Sequence, residues 1–123
     1  MVKGIFVNDN TPVIKVAIGW GQAVQTPYFI LDTGFTGDFQ VTPQIAEDLG
    51  LQVTGVTNAR IASGEIVSVP TALALASLEG EVNNVQVLIS DGFPLAGISF
   101  LSKFDYKAIV DCKYKTVTLE RAI

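Results

Sequence analysis

Apolar and polar positions along the chain group into short runs rich in Val, Ile and Thr, each closed off by Gly, Asn, Asp or Pro, and few stretches carry a helical period. That pattern predicts strands. The first covers residues 2–7, and Asn8, Asp9 and Asn10 turn the chain into a second over 13–18, which Gly19, Trp20 and Gly21 end. A third, over 24–31, is apolar towards its C-terminal end, the composition of a strand buried on both faces, and Asp32 sits at its exit. After a Gly-containing turn comes a brief strand at 39–41. Thr42 and Pro43 then supply an N-cap and a first-turn proline for a short helix over 43–49, stopped by Gly50.

Further along, 53–62 and 65–69 read as two strands joined by Ser63 and Gly64, a sequence suited to a tight hairpin with a polar tip. A second pair, 71–78 and 82–89, flanks Glu79, Gly80 and Glu81, and Val85, Val87 and Ile89 alternate onto one of its faces. Residues 90–94 form a loop. Leu95, Ala96 and Gly97 lead into a short helix over 98–104, and strands at 106–111 and 116–120 close the chain as a hairpin. The expectation is an all-β protein with one or two short helices and no internal repeat.

Composition narrows what such a protein does. With 123 residues, 49% of them hydrophobic, the chain suits one domain over 1–123. A net charge of −4, with eight basic residues scattered from Lys3 to Arg121, argues against a nucleic-acid partner, which needs clustered cations. Cys112 is the single cysteine, so no intrachain disulfide forms, and a reducing cytoplasm is the expected location. No run is long enough for a signal-peptide core or a membrane span, so no membrane partner is expected. Histidine is absent, which removes Ser/His and Cys/His nucleophilic catalysis and the commonest transition-metal ligand. No metal or cofactor is expected, and acid–base chemistry falls to carboxylates.

Three features then line up: an apolar strand ending in Asp32, Thr33 and Gly34; a Gly-tipped hairpin about thirty residues on; and two apolar residues before Gly97 at a helix entry. In this order the chain resembles the retropepsin-like aspartic proteases, the single-domain relatives of retroviral proteases, and the resemblance runs through nearly the whole sequence. It implies an acid-protease half-barrel with a flap hairpin. By the same resemblance Asp32 is the catalytic aspartate, supported by Thr33 and Gly34. Ala62, Ser63, Gly64 and Glu65 form the flap tip, and Leu95, Ala96 and Gly97 are the second motif, beneath the active site. Phe35 departs from the Ala or Ser of the retroviral enzymes, and Thr36 and Gly37 stand where acidic residues are usual, as in a bacterial-type variant.

Peptide hydrolysis without a metal, a histidine or a side-chain nucleophile needs an activated water and an acid, and two carboxylates sharing a proton supply both. The chain holds one Asp-Thr-Gly, so the second carboxylate is expected from an identical chain across a twofold axis. The resulting expectation is an aspartic endopeptidase, active as a homodimer on peptide or protein substrates; the resemblance further implies strands 2–7 and 116–120 as candidates for interleaving at the interface. Two alternatives keep less of the chemistry: a weak or inactive dimeric peptide-binding module, motivated by residues 35–37, and a β-rich scaffold without cleft chemistry. Outside the motifs, Asp38 and Asp91 read as solvated turn or cap residues, Cys112 as a small packing residue and Trp20 as a turn or cleft aromatic.

Overall fold

A computed structural model describes residues 1–60 and 63–122. Its strands are β1 (Val2–Val7), β2 (Thr11–Lys15), β3 (Ala17–Trp20), β4 (Ala23–Gln25), β5 (Tyr28–Leu31) and β6 (Phe39–Val41), followed after helix α1 (Pro43–Leu49) by β7 (Val53–Arg60), β8 (Ile66–Leu78), β9 (Glu81–Ile89) and β10 (Leu95–Ala96). Helix α2 (Ile98–Lys103) then precedes the terminal hairpin β11 (Tyr106–Asp111) and β12 (Thr116–Arg121). The strands lie in the order β11-β12-β1-β2-β5-β10-β6-β9-β8-β3-β4, with β7 pairing β8 off this path. β2 pairs β5 while its continuation β3 pairs β8, so one bent run of chain links two distant parts of the sheet and curls it around a core. The all-β expectation with two short helices holds.

Local chemistry explains most boundaries. Thr42 accepts the Ile45 N–H through Oγ1 at 3.1 Å, Pro43 occupies the first helical turn where no donor is needed, and α1 buries Ala46 and Leu49. The β8–β9 turn is the two-residue loop Glu79-Gly80, both at positive φ (50° and 81°), the hairpin geometry whose twist matches the strands.

Two prolines shape the strands in opposite ways. The expected strand over 24–31 is two strands, because Pro27, which has no N–H for a ladder, lies between β4 and β5. Nor is its end buried on both faces: Phe29 and Leu31 are buried while Tyr28 is 41% exposed. The expected strand over 13–18 also divides, at Val16. Pro70, by contrast, does not end its strand, and the two runs expected at 65–69 and 71–78 are the single β8. Pro70 pairs with Val56 of β7, while pairing of β8 to β9 starts only at Thr71, so the proline sits where the strand has a neighbour on one side.

The core centres on a column of aromatic rings. Phe29 and Phe39 lie 4.7 Å apart between centroids, Phe39 and Phe100 4.8 Å, and Phe100 and Phe104 5.2 Å, all four fully buried in tilted contacts. Strands β5 and β6 and helix α2 are thereby pinned to one another. One expectation from the sequence fails on the surface. Cys112 is exposed in the β11–β12 turn rather than packed, because the strand ends at Asp111, whose Oδ1 accepts the N–H groups of Lys113 and Tyr114. Within the chain β12 is paired on both sides, by β11 and, over 117–119, by residues 2–4 of β1.

Candidate active site

The loop 32–38 leaves β5 and returns as β6, and β10 runs between these two strands. Leu95 pairs in parallel with Ile30 and antiparallel with Gln40, and Ala96 does the same with Leu31 and Phe39. Both limbs of the loop are laced to this segment by backbone hydrogen bonds. Asp32 N–H donates to the Ala96 carbonyl at 2.9 Å, Gly97 N–H to Asp38 O at 2.9 Å, and Ile98 N–H to Phe35 O at 2.9 Å. The sequence motifs around Asp32 and Gly97, more than sixty residues apart in the chain, are therefore one piece of structure.

Asp32 is half-buried, and its own turn orients it. Oδ1 accepts the Gly34 N–H at 2.9 Å, and the Asp32 carbonyl accepts the Phe35 N–H at 3.1 Å. An aspartate that bonds the backbone two residues on is a familiar turn former, and here it fixes one carboxylate oxygen. Thr33 and Gly34 are exposed at the apex.

Gly97 is there because nothing larger fits. A Cβ at this position would stand 2.3 Å from the Gly37 carbonyl oxygen and 2.5 Å from that of Phe35, with the Phe35 ring at 2.8 Å. The same ring would meet a Cβ at Gly37 at 2.7 Å. Phe35 fills the space that two glycines leave open, which accounts physically for the departure from the smaller residue of the retroviral enzymes.

Asp38 is not the solvated turn residue expected from sequence. It is 4% exposed, its Oδ2 accepts the Gln86 N–H at 2.9 Å and the Lys103 ammonium at 2.6 Å, and its Oδ1 is buried without a partner among the described residues. Lys103 also reaches the Asn84 carbonyl at 3.3 Å. The far limb of the loop is thus tied through one carboxylate to β9 and to the last turn of α2. Sequence reading missed Lys103 and Gln86 altogether. The available signal was weak: Asp38 directly precedes Phe39, which with Val41 forms the buried side of β6.

Above the loop stands the β7–β8 hairpin. Ser63, Gly64 and Glu65 are exposed at its tip, with Gly64 at φ 87°; Ala62 lies outside the described residues. Two adjoining cavities separate hairpin from loop. One, of about 430 Å³, is walled by 34–37, 57–60, Gln86 and Leu88. The other, of about 270 Å³, contains Asp32 and is walled by Val67 and Val69 of the hairpin and by Gln40, Ser90 and Leu95 below. Phe35, Ala59, Arg60 and Leu88 face both. Asp32 therefore opens into a cleft lined by aliphatic, aromatic, amide and hydroxyl side chains and by Arg60.

The family model for aspartyl proteases matches residues 14–101, from β2 to α2, and so includes both motifs and the hairpin. The chain belongs to the aspartyl protease family. As a member it is a protease, a hydrolase. No curated protein matches it. Among solved structures it is similar to a retropepsin-like aspartic protease from Rickettsia conorii, at 20% identity, with a TM-score of 0.67 over 99% of this chain and 90% of that one. It is also similar to the EIAV protease, solved with the inhibitor HBY-793, at 16% identity and a TM-score of 0.62, over 80% of this chain and 91% of the viral one. The aspartyl protease domain here thus has the retropepsin-like fold expected from its motifs.

Proposed function

We propose that the protein is an endopeptidase that cuts extended polypeptides as a homodimer, with Asp32 of each copy forming the catalytic pair. The observation that carries this reading is the placement of Asp32 at the floor of the cleft, one oxygen fixed by the Gly34 N–H. One Asp-Thr-Gly per chain supplies one carboxylate, and exposed Thr33 and Gly34 leave the apex accessible to a second copy.

Two such carboxylates held about 3 Å apart share a proton, because both cannot ionise at that separation. The ionised one takes a proton from water, whose oxygen attacks the peptide carbonyl carbon. The neutral one gives its proton to the carbonyl oxygen. When the tetrahedral species collapses, the C–N bond breaks and the amine leaves with a proton from the pair. Protonation then belongs to the pair rather than to either residue. The β7–β8 hairpin serves as a flap, with Ala62, Ser63, Gly64 and Glu65 as its tip, and closes over bound peptide to exclude bulk water. Leu95, Ala96 and Gly97 act from below by holding the loop.

Asp32→Asn tests the reading. The variant is expected to keep its secondary structure and thermal transition while losing peptide turnover by at least about a thousandfold across acidic to neutral pH. Parent-like turnover by Asp32→Asn would remove Asp32 from the chemistry. Peptide binding without turnover by the parent itself would favour the binding-module alternative, which residues 35–37 motivate.

A further inference from the structure

The cleft contains a cation that makes no ion pair among the described residues. Among the described residues that wall the two cavities, Arg60 is the one basic residue, and Asp32 is the one acidic residue. Lys103, Lys107 and Arg121 each make an ion pair, with Asp38, Glu120 and Glu81 respectively, whereas Arg60, like Lys3, Lys15, Lys113 and Lys115, makes none among the described residues; of these five, Arg60 alone walls the two cavities. Its recorded contact is an Nη1 hydrogen bond to the Gly64 carbonyl across the hairpin tip, at 3.1 Å. That bond uses one of five guanidinium N–H donors and anchors the head group at the end of β7. The planar fork that remains matches a carboxylate, which accepts two parallel N–H bonds. In a protein of net charge −4, Arg60 is the positive charge on the cleft wall that an incoming anion meets.

We infer that Arg60 is a specificity-determining residue that receives a carboxylate of the bound peptide, selecting substrates that carry one beside the scissile bond. The inference rests on the cleft being the substrate site proposed above. In the larger cavity Arg60's neighbours Thr57, Asn58 and Gln86 are neutral, and neither Asp32, which shares the smaller cavity, nor Glu65, beside Gly64, forms an ion pair with it among the described residues. An acidic Asp or Glu side chain and a free peptide C-terminus present the same chemistry. The first suits an endopeptidase, the second cleavage near a chain end.

The test uses short N-acetylated peptides on one neutral scaffold, with Glu or its isostere Gln stepped through successive positions, each made with an amidated and with a free C-terminus. For at least one position the Glu peptide should exceed its Gln twin in kcat/KM by about tenfold at low salt, and the ratio should shrink as salt rises. In Arg60→Gln the ratio should fall to about one, and in Arg60→Glu a Lys peptide should replace the Glu peptide as the better substrate. A preference that survives amidation assigns the contact to a side chain; one that appears only with the free acid assigns it to the terminus. The same peptides, fluorescently labelled, are measured for binding to Asp32→Asn, so that the preference is read even without turnover. Arg60-dependent binding preference with no cleavage by the parent would count against the catalytic reading and support this one. A Glu-to-Gln ratio unaltered by Arg60→Gln, or no preference in either assay, would overturn it.

Discussion

At the scale of single residues, the site depends on what is missing as much as on what is present. Asp32 makes its own local frame through the Gly34 N–H, but the height of the loop over α2 is set by Gly97, where two carbonyl oxygens come closer than any Cβ tolerates. Gly97 has φ −110°, a value open to every residue, so the requirement is space and not backbone conformation. Gly97→Ala is therefore expected to push residues 35–37 away, weaken the Ile98-to-Phe35 hydrogen bond and cost about 1–3 kcal/mol of stability, with a loss of activity exceeding that of an equally destabilising core change. Denaturant unfolding and peptide turnover on the same preparations check this. Parent-like stability would mean that the loop has slack. The sequence displayed the two motifs by residue type, since Asp-Thr-Gly after an apolar strand and Gly97 at a helix entry both stand out. It did not display the buried state of Asp38, because a lone aspartate beside glycine has the same composition whether solvated or enclosed; only the partner, Lys103, distinguishes the cases, and it is sixty-five residues away.

At the scale of elements, three pieces hold the loop: β10 threaded between β5 and β6, the aromatic column, and the Asp38–Lys103 bridge from loop to α2. The bridge is asymmetric, with Asp38 3% exposed and Lys103 41% exposed. Removing the lysine leaves a buried carboxylate with the Gln86 N–H as its remaining partner among the described residues, so Lys103→Met is expected to cost about 2–4 kcal/mol. Combining it with Asp38→Asn should cost less than the sum of the two single changes, a coupling that chemical denaturation of the four proteins measures directly. Strict additivity would show that the pair contributes nothing. In the column, Phe100→Ala should cost about 3–5 kcal/mol and loosen β6 and α2 together. Helix α1 was legible to the residue, because Thr42, Pro43 and Gly50 carry capping chemistry that is local. Strand ends were legible less often. Pro27 ends a strand and Pro70 does not, and the difference lies in which neighbours each strand has, information held in the sheet rather than in the segment.

At the scale of the whole molecule, the terminal hairpin is fastened to the β8–β9 turn by Tyr106, Glu79, Glu81 and Arg121. The Tyr106 hydroxyl donates to Glu79 Oε1 at 2.7 Å, the Arg121 guanidinium lies 5.1 Å over the Tyr106 ring, and Arg121 also pairs with Glu81. The Met1 ammonium and then the Tyr106 hydroxyl hold the Glu79 carboxyl below its usual range. Burial first, and the hydrogen bond to Glu79 second, push the Tyr106 phenol from 10.0 up to about 12. A group whose folded pKa is raised contributes stability that is complete below its unfolded value and lost as pH climbs through the folded one. The melting temperature should accordingly fall between about pH 10 and 12, and Tyr106→Phe, which keeps the ring and removes the proton, should show a shallower decline in thermal scans over that window. Identical alkaline limbs would exclude Tyr106 as a contributor. The fold class and the order of the motifs were readable at this scale because they need only the sequence of elements. The closing of β12 on both sides was not, since strand neighbours separated by a hundred residues leave no local mark.

In the proposed homodimer each active unit contains two copies of Asp32, one from each chain. Peptide turnover by mixtures of the parent and Asp32→Asn, at fixed total protein and after subunit exchange, measures this most directly. If each site needs two intact aspartates, activity per total protein follows the square of the parent's mole fraction, and excess Asp32→Asn suppresses the parent by capturing it in inactive pairs. Activity in simple proportion to the amount of parent, untouched by any excess of Asp32→Asn, would contradict the shared-site account.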